Sequence, residues 1–230
     1  MRGLLVAAGA GAAAWSAPAL APLIPSWCDA LGVTRRRDAS DGAVALTFDD
    51  GPHPQGTPAV LEELDRAGAR ATFFMVGEQV RRYPAVAAQV AGAGHGIALH
   101  GERHRNLLRL PPRALDADLQ RGAATLTEAT GRELSLYRPP YGIFSPVGPA
   151  LARRRGLEPT LWSRWGRDWS ARATPASIAA KVTEDLGAGD VLLLHDADFY
   201  SAEGCWRRTV EALPRVLEAI AARGLRAVAL

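Results

Sequence analysis

Two adjacent carboxylates, Asp49 and Asp50, follow the apolar run of "ALTFDDGPHP", and Gly51-Pro52 comes directly after them. Neighbouring like charges repel, so this acidic pair needs a compensating partner: a metal ion, an arginine or water. If one aspartate binds a cation, the other remains beside it as a free base. The cation lowers the pKa of a bound water, and the free carboxylate then takes its proton at neutral pH. The alternative is a polar turn without chemistry.

His100 and His104 have a spacing that suits one metal ion. Two imidazoles four residues apart on one face of a helical turn can bind a zinc-like ion. A carboxylate would complete a set of three ligands and leave positions open for water and substrate. Without that carboxylate the pair would be two ordinary surface histidines, so the acidic pair favours a metal site.

Two further ionisable residues are candidates for the same chemistry. Arg138 would pair with the free aspartate and hold it ionised. His195 ends the apolar run 191–194 and is a candidate general acid that protonates a leaving group, or else a hydrogen-bonded core histidine. Asp196 either orients His195 or caps the turn.

Short β-type runs alternate with helical patterns after residue 41, which predicts a parallel sheet. The predicted strands are 44–48, 71–76, 97–99, 136–137, 159–162, 191–194 and 226–229, and the predicted helices are 58–67, 83–93, 112–130, 145–155, 175–186 and 209–223. Thr57 and Thr174 each precede a proline and are predicted helix caps. The predicted fold is α/β, a closed or nearly closed (β/α) barrel of about seven parallel strands, with a doubly wound open sheet as the second choice.

Active sites of parallel α/β folds form where the strands end. The candidate residues all follow predicted strands, so we expect them to meet on one rim. Four tryptophans near the same strand ends would form apolar walls there or pack in the core: Trp162, Trp165, Trp169 and Trp206.

The composition is that of a globular chain of 230 residues, with 48% apolar and 22% charged residues, enough for one sizeable domain. The net charge is +3. The arginines are scattered and no aromatic stripe accompanies them, which indicates a solvated surface and no nucleic-acid partner. Cys28 and Cys205 lie in no CxxC motif and are either two free thiols or, in an exported protein, one disulfide.

The N-terminal segment has no charged residue from 3 to 24, and Ala17-Pro18-Ala19 is typical of a signal-peptide cleavage site. It predicts a secretory signal or a membrane anchor over residues 1–40, with a linker, before a catalytic domain over 41–230. The protein is then exported, extracellular or held in the cell envelope. The alternative is a surface helix packed on the domain.

These motifs together resemble the polysaccharide deacetylases of carbohydrate esterase family 4, which share a domain with a chitooligosaccharide deacetylase of nodulation. The resemblance covers residues 44 to the C-terminus and includes the family's distorted (β/α) barrel. Its five motifs are Thr47-Phe48-Asp49-Asp50-Gly51-Pro52, the pair His100 and His104, Arg138-Pro139-Pro140-Tyr141-Gly142, Asp168-Trp169, and Leu194-His195.

The resemblance implies a role for each of these side chains. The implied metal ligands are Asp50, His100 and His104. The implied catalytic residues are Asp49 as base, Arg138 as its tether, Tyr141 as an oxyanion donor through its backbone N–H, and His195 as general acid, with Asp168 beside it in the fourth motif.

Two motifs depart from the family pattern. The usual His-Ser/Thr-x-x-His-Pro reads His100-Gly101-Glu102-Arg103-His104-Arg105 here, so both ligands remain. Trp165 stands where the family often has the aspartate that orients the acid histidine, which leaves Asp168 or another group for that task.

The predicted activity is metal-dependent hydrolysis of N-acetyl groups on an amino-sugar polymer or oligomer, with Zn²⁺ favoured over Co²⁺ or Ni²⁺. Two alternatives stay open: an amidohydrolase for a small non-sugar amide, and a non-catalytic glycan-binding protein of the envelope. The sequence gives no oligomeric state.

Overall fold

The computed structural model describes residues 17–230. Its eight strands all run parallel in one sheet. The strands are β1 Ala43–Asp49, β2 Thr72–Met75, β3 Gly96–Leu99, β4 Leu136–Tyr137, β5 Glu158–Pro159, β6 Arg164–Trp165, β7 Val191–His195 and β8 Arg226–Val228. The helices are α1 Pro25–Leu31, α2 Gly56–Arg66, α3 Gly77–Arg82, α4 Pro84–Gly92, α5 Pro112–Thr130, α6 Gly148–Arg154, α7 Pro175–Val182 and α8 Cys205–Ala221.

The sheet has the strand order β5-β4-β3-β2-β1-β7-β6, and β8 pairs with the start of β1. A short segment of the chain before β1 lies between the two outer ends of this sheet. There Thr34 forms a bridge with Thr160 beside β5, and Arg36 forms one with Asp190 beside β7. The architecture is therefore the predicted distorted (β/α) barrel rather than a doubly wound open sheet.

Strand β1 lies in the interior of the sheet, between β2 and β7, and all seven of its residues are buried. It pairs with β2, β7 and β8. A parallel strand that is buried on both faces has a continuous apolar sequence. The segment before the acidic pair therefore shows no alternation of apolar and polar residues. This strand fixes the position of Asp49, its last residue.

The predicted strand 159–162 is wrong beyond its first residue. Its carbonyl groups are taken by arginines, since Leu161 O accepts from Arg138 Nη2 at 3.0 Å and Trp162 O from Arg35 Nε at 3.0 Å. Beyond β5 only isolated backbone contacts remain, Thr160 N to Tyr137 O and Leu161 N to Thr34 O, both at 2.8 Å, and strand pairing resumes at the unpredicted strand β6. Helix α3 was also not predicted, because six residues are too few for a helical period to show.

The two predicted threonine caps have different outcomes. Thr174 caps α7, and it shares a capping box with Ser177. The prediction for Thr57 is wrong, because α2 begins one residue earlier and Thr57 lies inside it. Its hydroxyl accepts from His53 N at 2.7 Å and donates to Asp196, so it links the loop after β1 to the loop after β7.

Both cysteines are buried free thiols, so the disulfide alternative is wrong. Cys28 Sγ donates to Ala21 O at 3.2 Å and Cys205 Sγ to Ala197 O at 3.4 Å. Most of the uncharged N-terminal segment lies outside the described residues. Within residues 17–230, none of the helices combines the length and the apolar character that crossing a bilayer requires.

Candidate active site and metal centre

The carboxyl ends of four strands bring the predicted residues to one rim of the barrel. Asp49 ends β1 and lies in register with His195 at the end of β7. His100 directly follows β3, and Arg138 directly follows β4. The expectation that these residues lie on one rim is therefore confirmed.

The acidic pair divides its two carboxylates between two tasks. Asp50 adopts φ 79°, a left-handed conformation that is unusual for a residue with a side chain and costs about 1–3 kcal/mol. This turn sends the Asp50 carboxylate towards the histidines, while Asp49 Oδ1 accepts from Arg138. Glycine is required next, because a Cβ at position 51 would lie 2.5 Å from Asp196 Oδ2.

Asp50, His100 and His104 form a cluster that we call the metal triad. Asp50 Oδ1 lies 3.2 Å from His104 Nε2 and 3.4 Å from His100 Nε2. One ligand atom from each residue lies within 4.8 Å of the others. Asp50 Oδ1 is buried without a hydrogen-bond partner among the described residues, so it is free to coordinate a cation. A carboxylate with two imidazoles fits zinc or a similar ion.

The charge of Asp50 also fits a cation. Burial raises the pKa of Asp50, but the two histidines outweigh burial and hold that pKa far below its ordinary value. Asp50 is therefore a carboxylate at neutral pH. His100 Nδ1 donates to Arg138 O at 2.9 Å, so Nε2 is the ring nitrogen that faces the triad.

Arg138 is fully buried and organises the site beneath Asp49. Its Nη1 donates to Asp49 Oδ1 at 2.6 Å and to Thr47 Oγ1 at 2.9 Å. Its guanidinium carbon lies 3.9 Å from the centre of the Phe74 ring. A buried guanidinium needs a counter-charge and a face to stack on, and it has both here. The predicted pairing of Arg138 with an aspartate is thus present.

His195 is oriented by Asp168, the choice that the sequence left open. His195 Nδ1 lies 2.9 Å from Asp168 Oδ1, and the His195 backbone N–H donates to Asp168 Oδ2 at 2.7 Å. Thr209 Oγ1 adds a third hydrogen bond to that carboxylate at 2.8 Å. Asp196 instead faces Gly51 and Thr57, so it does not orient the imidazole.

The same carboxylate sets the charge of His195. Burial lowers the pKa of this imidazole, but Asp168 and, at longer range, the acidic pair outweigh burial and raise the pKa to about 10. His195 is therefore protonated at neutral pH and is able to donate a proton. A cation at the metal triad would offset the charge of Asp50 and move this pKa down towards neutrality.

Tyr141 and three tryptophans shape a cavity of about 310 Å³ above these groups. Tyr141 sits in a tight turn with φ 62°, and its side chain is 54% exposed at the rim. The other wall contains Trp162, Trp165 and Trp169. Trp206 lies elsewhere and contacts His53 at 5.4 Å between ring centres, so only three of the four tryptophans reach the site.

Two residues of the site, Tyr200 and Thr209, were not predicted from the sequence. Tyr200 lines the cavity and stacks on His104, and Thr209 braces Asp168 from helix α8. The only available indication was position, since Tyr200 follows the strand that ends at His195. A tyrosine in such a loop carries no motif of its own.

Comparison with known proteins agrees with this geometry. A family model described as polysaccharide deacetylase matches residues 36–159. A chitooligosaccharide deacetylase of Azorhizobium caulinodans is 32% identical over 84% of this chain and 95% of its own length. The chain belongs to the polysaccharide deacetylase family. A peptidoglycan-N-acetylglucosamine deacetylase of Bacillus cereus is 35% identical over 80% of this chain and 84% of its own.

Solved structures of polysaccharide deacetylases share the fold. A peptidoglycan N-acetylglucosamine deacetylase in complex with 4-naphthalen-1-yl-N-oxidanyl-benzamide superposes with a TM-score of 0.82 at 27% identity, over 89% of this chain and 94% of that one. A family 4 carbohydrate esterase from Streptomyces lividans in complex with acetate gives 0.73 at 30% identity, over 81% and 92%. The barrel fold is thus shared with these structures.

Replacement of Asp168 by asparagine tests how His195 is charged. Since Asp168 raises the pKa of His195, Asp168→Asn should lower it, and the protonated acid should be lost at a lower pH. We expect the alkaline limb of the kcat/KM profile to move down by about 1–3 pH units. The measurement is the pH profile of acetate release by wild type and variant. An alkaline limb that stays in place would contradict this coupling.

Proposed function

We propose that this protein is a metal-dependent hydrolase that removes N-acetyl groups from an N-acetylated amino-sugar polymer or oligomer and releases acetate. The observation that carries the proposal is the division of the acidic pair, with Asp50 facing two imidazoles and Asp49 held by a buried arginine. A binding module needs no such arrangement of acid, base and ligands.

The metal triad would hold a divalent cation, with Zn²⁺ favoured over Co²⁺ or Ni²⁺ by its one carboxylate and two imidazoles. When bound, that cation supplies a Lewis acid for the acetyl carbonyl and lowers the pKa of water. His100 is oriented for this by its hydrogen bond to Arg138 O.

The other roles fall to groups of this chain: two side chains transfer protons, and one backbone N–H stabilises the oxyanion. Asp49 takes the proton of the attacking water, with its other oxygen fixed by Arg138. The backbone N–H of Tyr141 stabilises the negative charge that develops on the carbonyl oxygen. His195 then protonates the departing nitrogen, because an amine anion is too poor a leaving group to depart alone.

The substrate is proposed to be a peptidoglycan-like or chitin-like chain. Relatives of this protein are named as deacetylases of chitooligosaccharides and of peptidoglycan N-acetylglucosamine. The rim is open and aromatic, since Tyr141 and Trp169 are exposed beside the cavity. Exposed aromatic faces of this kind suit the apolar faces of sugar rings.

We further propose that residues 1–40 direct the protein out of the cytoplasm, as a cleaved signal or a retained membrane anchor. The support is the uncharged segment 3–24 with its small-residue cleavage pattern. The mass and the membrane or soluble fraction of the mature protein will separate the two routes. An uncleaved protein confined to the cytoplasm would contradict both.

Acetate release with and without metal is the test of the activity. We would compare Zn²⁺-loaded and chelator-treated protein on N-acetylated chitooligosaccharides, peptidoglycan fragments and a small N-acetylated amide. Loss of the cation removes several kcal/mol of stabilisation, so we expect release to fall by at least about 10²-fold and to recover on addition of Zn²⁺. Turnover of the small amide alone would favour the amidohydrolase, and bound Zn²⁺ without any release would contradict the proposal.

A further inference from the structure

The two histidines of the metal triad are held by different means. The second ring nitrogen of His100 makes a hydrogen bond to Arg138 O at 2.9 Å. The second ring nitrogen of His104, Nδ1, is buried and has no hydrogen-bond partner among the described residues. Imidazoles that bind metals are usually oriented by a hydrogen bond at that nitrogen, so His104 needs another constraint.

Two tyrosine rings enclose the His104 imidazole. The ring of Tyr200 lies parallel to it, with 4.1 Å between ring centres and an angle of 7°. The ring of Tyr141 meets it edge-on from another side, at 4.4 Å and 68°. These contacts restrict rotation of the imidazole plane while His104 Nε2 faces Asp50 Oδ1 at 3.2 Å.

Tyr200 is itself fixed by helix α3. Its hydroxyl donates to Glu78 Oε1 at 2.7 Å and accepts from Gln79 Nε2 at 2.8 Å. The first turn of the same helix also holds the chain between the two histidines. There Gly77 N donates to Gly101 O and Glu78 N to Glu102 O, both at 2.9 Å. Helix α3 therefore sets the position of Tyr200 relative to the loop that carries His104.

The neighbouring Phe199 anchors the Tyr200 loop independently of the metal triad. Its ring stacks on Tyr83 at 6.1 Å with an angle of 9° and lies 5.0 Å from the ring of His53. The contact between Tyr83 and Phe199 thus supports the same loop without touching a metal ligand. This difference provides a matched control.

We infer that Tyr200 is a positioning residue for the metal ligand His104, whose imidazole plane it fixes by stacking. The inference rests on the proposed metal site. The aromatic ring of Tyr200 contributes more to this positioning than its hydroxyl does, because the ring contacts the imidazole. Loss of the ring should let His104 rotate and weaken metal binding, whereas the apo fold should keep most of its stability.

The test compares Tyr200→Leu, Tyr200→Phe and the control Tyr83→Leu in the otherwise intact chain. The readouts are the Zn²⁺ dissociation constant by competition with a chelator, the visible spectrum of bound Co²⁺, and thermal unfolding of the metal-free protein. Y200L should weaken Zn²⁺ binding about 10–100-fold and alter the Co²⁺ spectrum. Y200F keeps the ring, so its Zn²⁺ affinity should fall by less than about tenfold, the lower end of that range. Y83L should destabilise the fold without changing Zn²⁺ affinity.

The outcomes separate this inference from the metal site on which it rests. Wild type that fails to bind Zn²⁺ would overturn both. Equal Zn²⁺ affinities of wild type and Y200L would overturn the role of Tyr200 alone. Equal losses of Zn²⁺ affinity in Y200L and Y83L would do the same. If Y200L does not fold, Tyr200→Met repeats the comparison with a longer side chain that still lacks the ring.

Discussion

Replacement of Asp49 by asparagine should lower kcat/KM for deacetylation by about 10²–10⁴-fold and leave Zn²⁺ affinity nearly unchanged. Asparagine keeps an oxygen that can accept from Arg138 Nη1, which Asp49 Oδ1 now does at 2.6 Å. It places an amide where Asp49 has its second carboxylate oxygen, 3.8 Å from His100 Nε2. An amide cannot take the proton of water, so the base is lost while the metal triad stays complete.

The control for this variant is Thr47→Val, which disturbs the same buried network without touching the base. Thr47 Oγ1 accepts from Arg138 Nη1 at 2.9 Å, so T47V removes one hydrogen bond from the guanidinium. Breaking a buried ion pair costs about 3–5 kcal/mol, so D49N needs a measurement of its unfolding free energy alongside activity. If D49N loses its metal, Asp49 is a ligand; if it stays active in a clean preparation, Asp49 is not the base.

The parts of this site that the sequence predicts are those fixed by local chain geometry. The apolar run of β1 ends at the acidic pair, and β7 ends at His195, so strand ends alone place these groups on one rim. The pair His100 and His104 is placed in the same way by β3. A buried strand of a parallel sheet is a strong local pattern, and its last residue is therefore well determined.

The parts that the sequence does not predict depend on contacts between distant segments. Asp196 is next to His195 in sequence, whereas Asp168 is near it only in the fold. Asp168 binds the imidazole, and Thr209 of helix α8 holds the Asp168 carboxylate there. Trp165 stands where the family often has an aspartate, and its ring lines the cavity instead. Tyr200 contacts His104 from a loop that distant residues hold in place, among them Glu78 of helix α3, which binds its hydroxyl.

Replacement of His195 by alanine should separate its role as an acid from any role in folding. For an N-acetyl sugar, the departing nitrogen must gain a proton, so we expect a loss of about 10²–10⁴-fold in kcat. An aryl acetate with a nitrophenolate leaving group needs no such proton, because the phenolate departs as its anion. On that ester H195A should lose less than about tenfold, since only the general acid is missing.

The comparison is sharpest when D49N is measured on the same two substrates. Attack by water precedes departure of either leaving group, so loss of Asp49 should slow amide and ester alike, whereas loss of His195 should slow the amide selectively. A uniform loss in H195A would mean that the cavity has changed shape. That outcome would be traced to Asp168, whose carboxylate would keep its hydrogen bonds from Thr209 and the backbone of residue 195 but lose its charged partner. Selective loss on the amide assigns the proton transfer to His195.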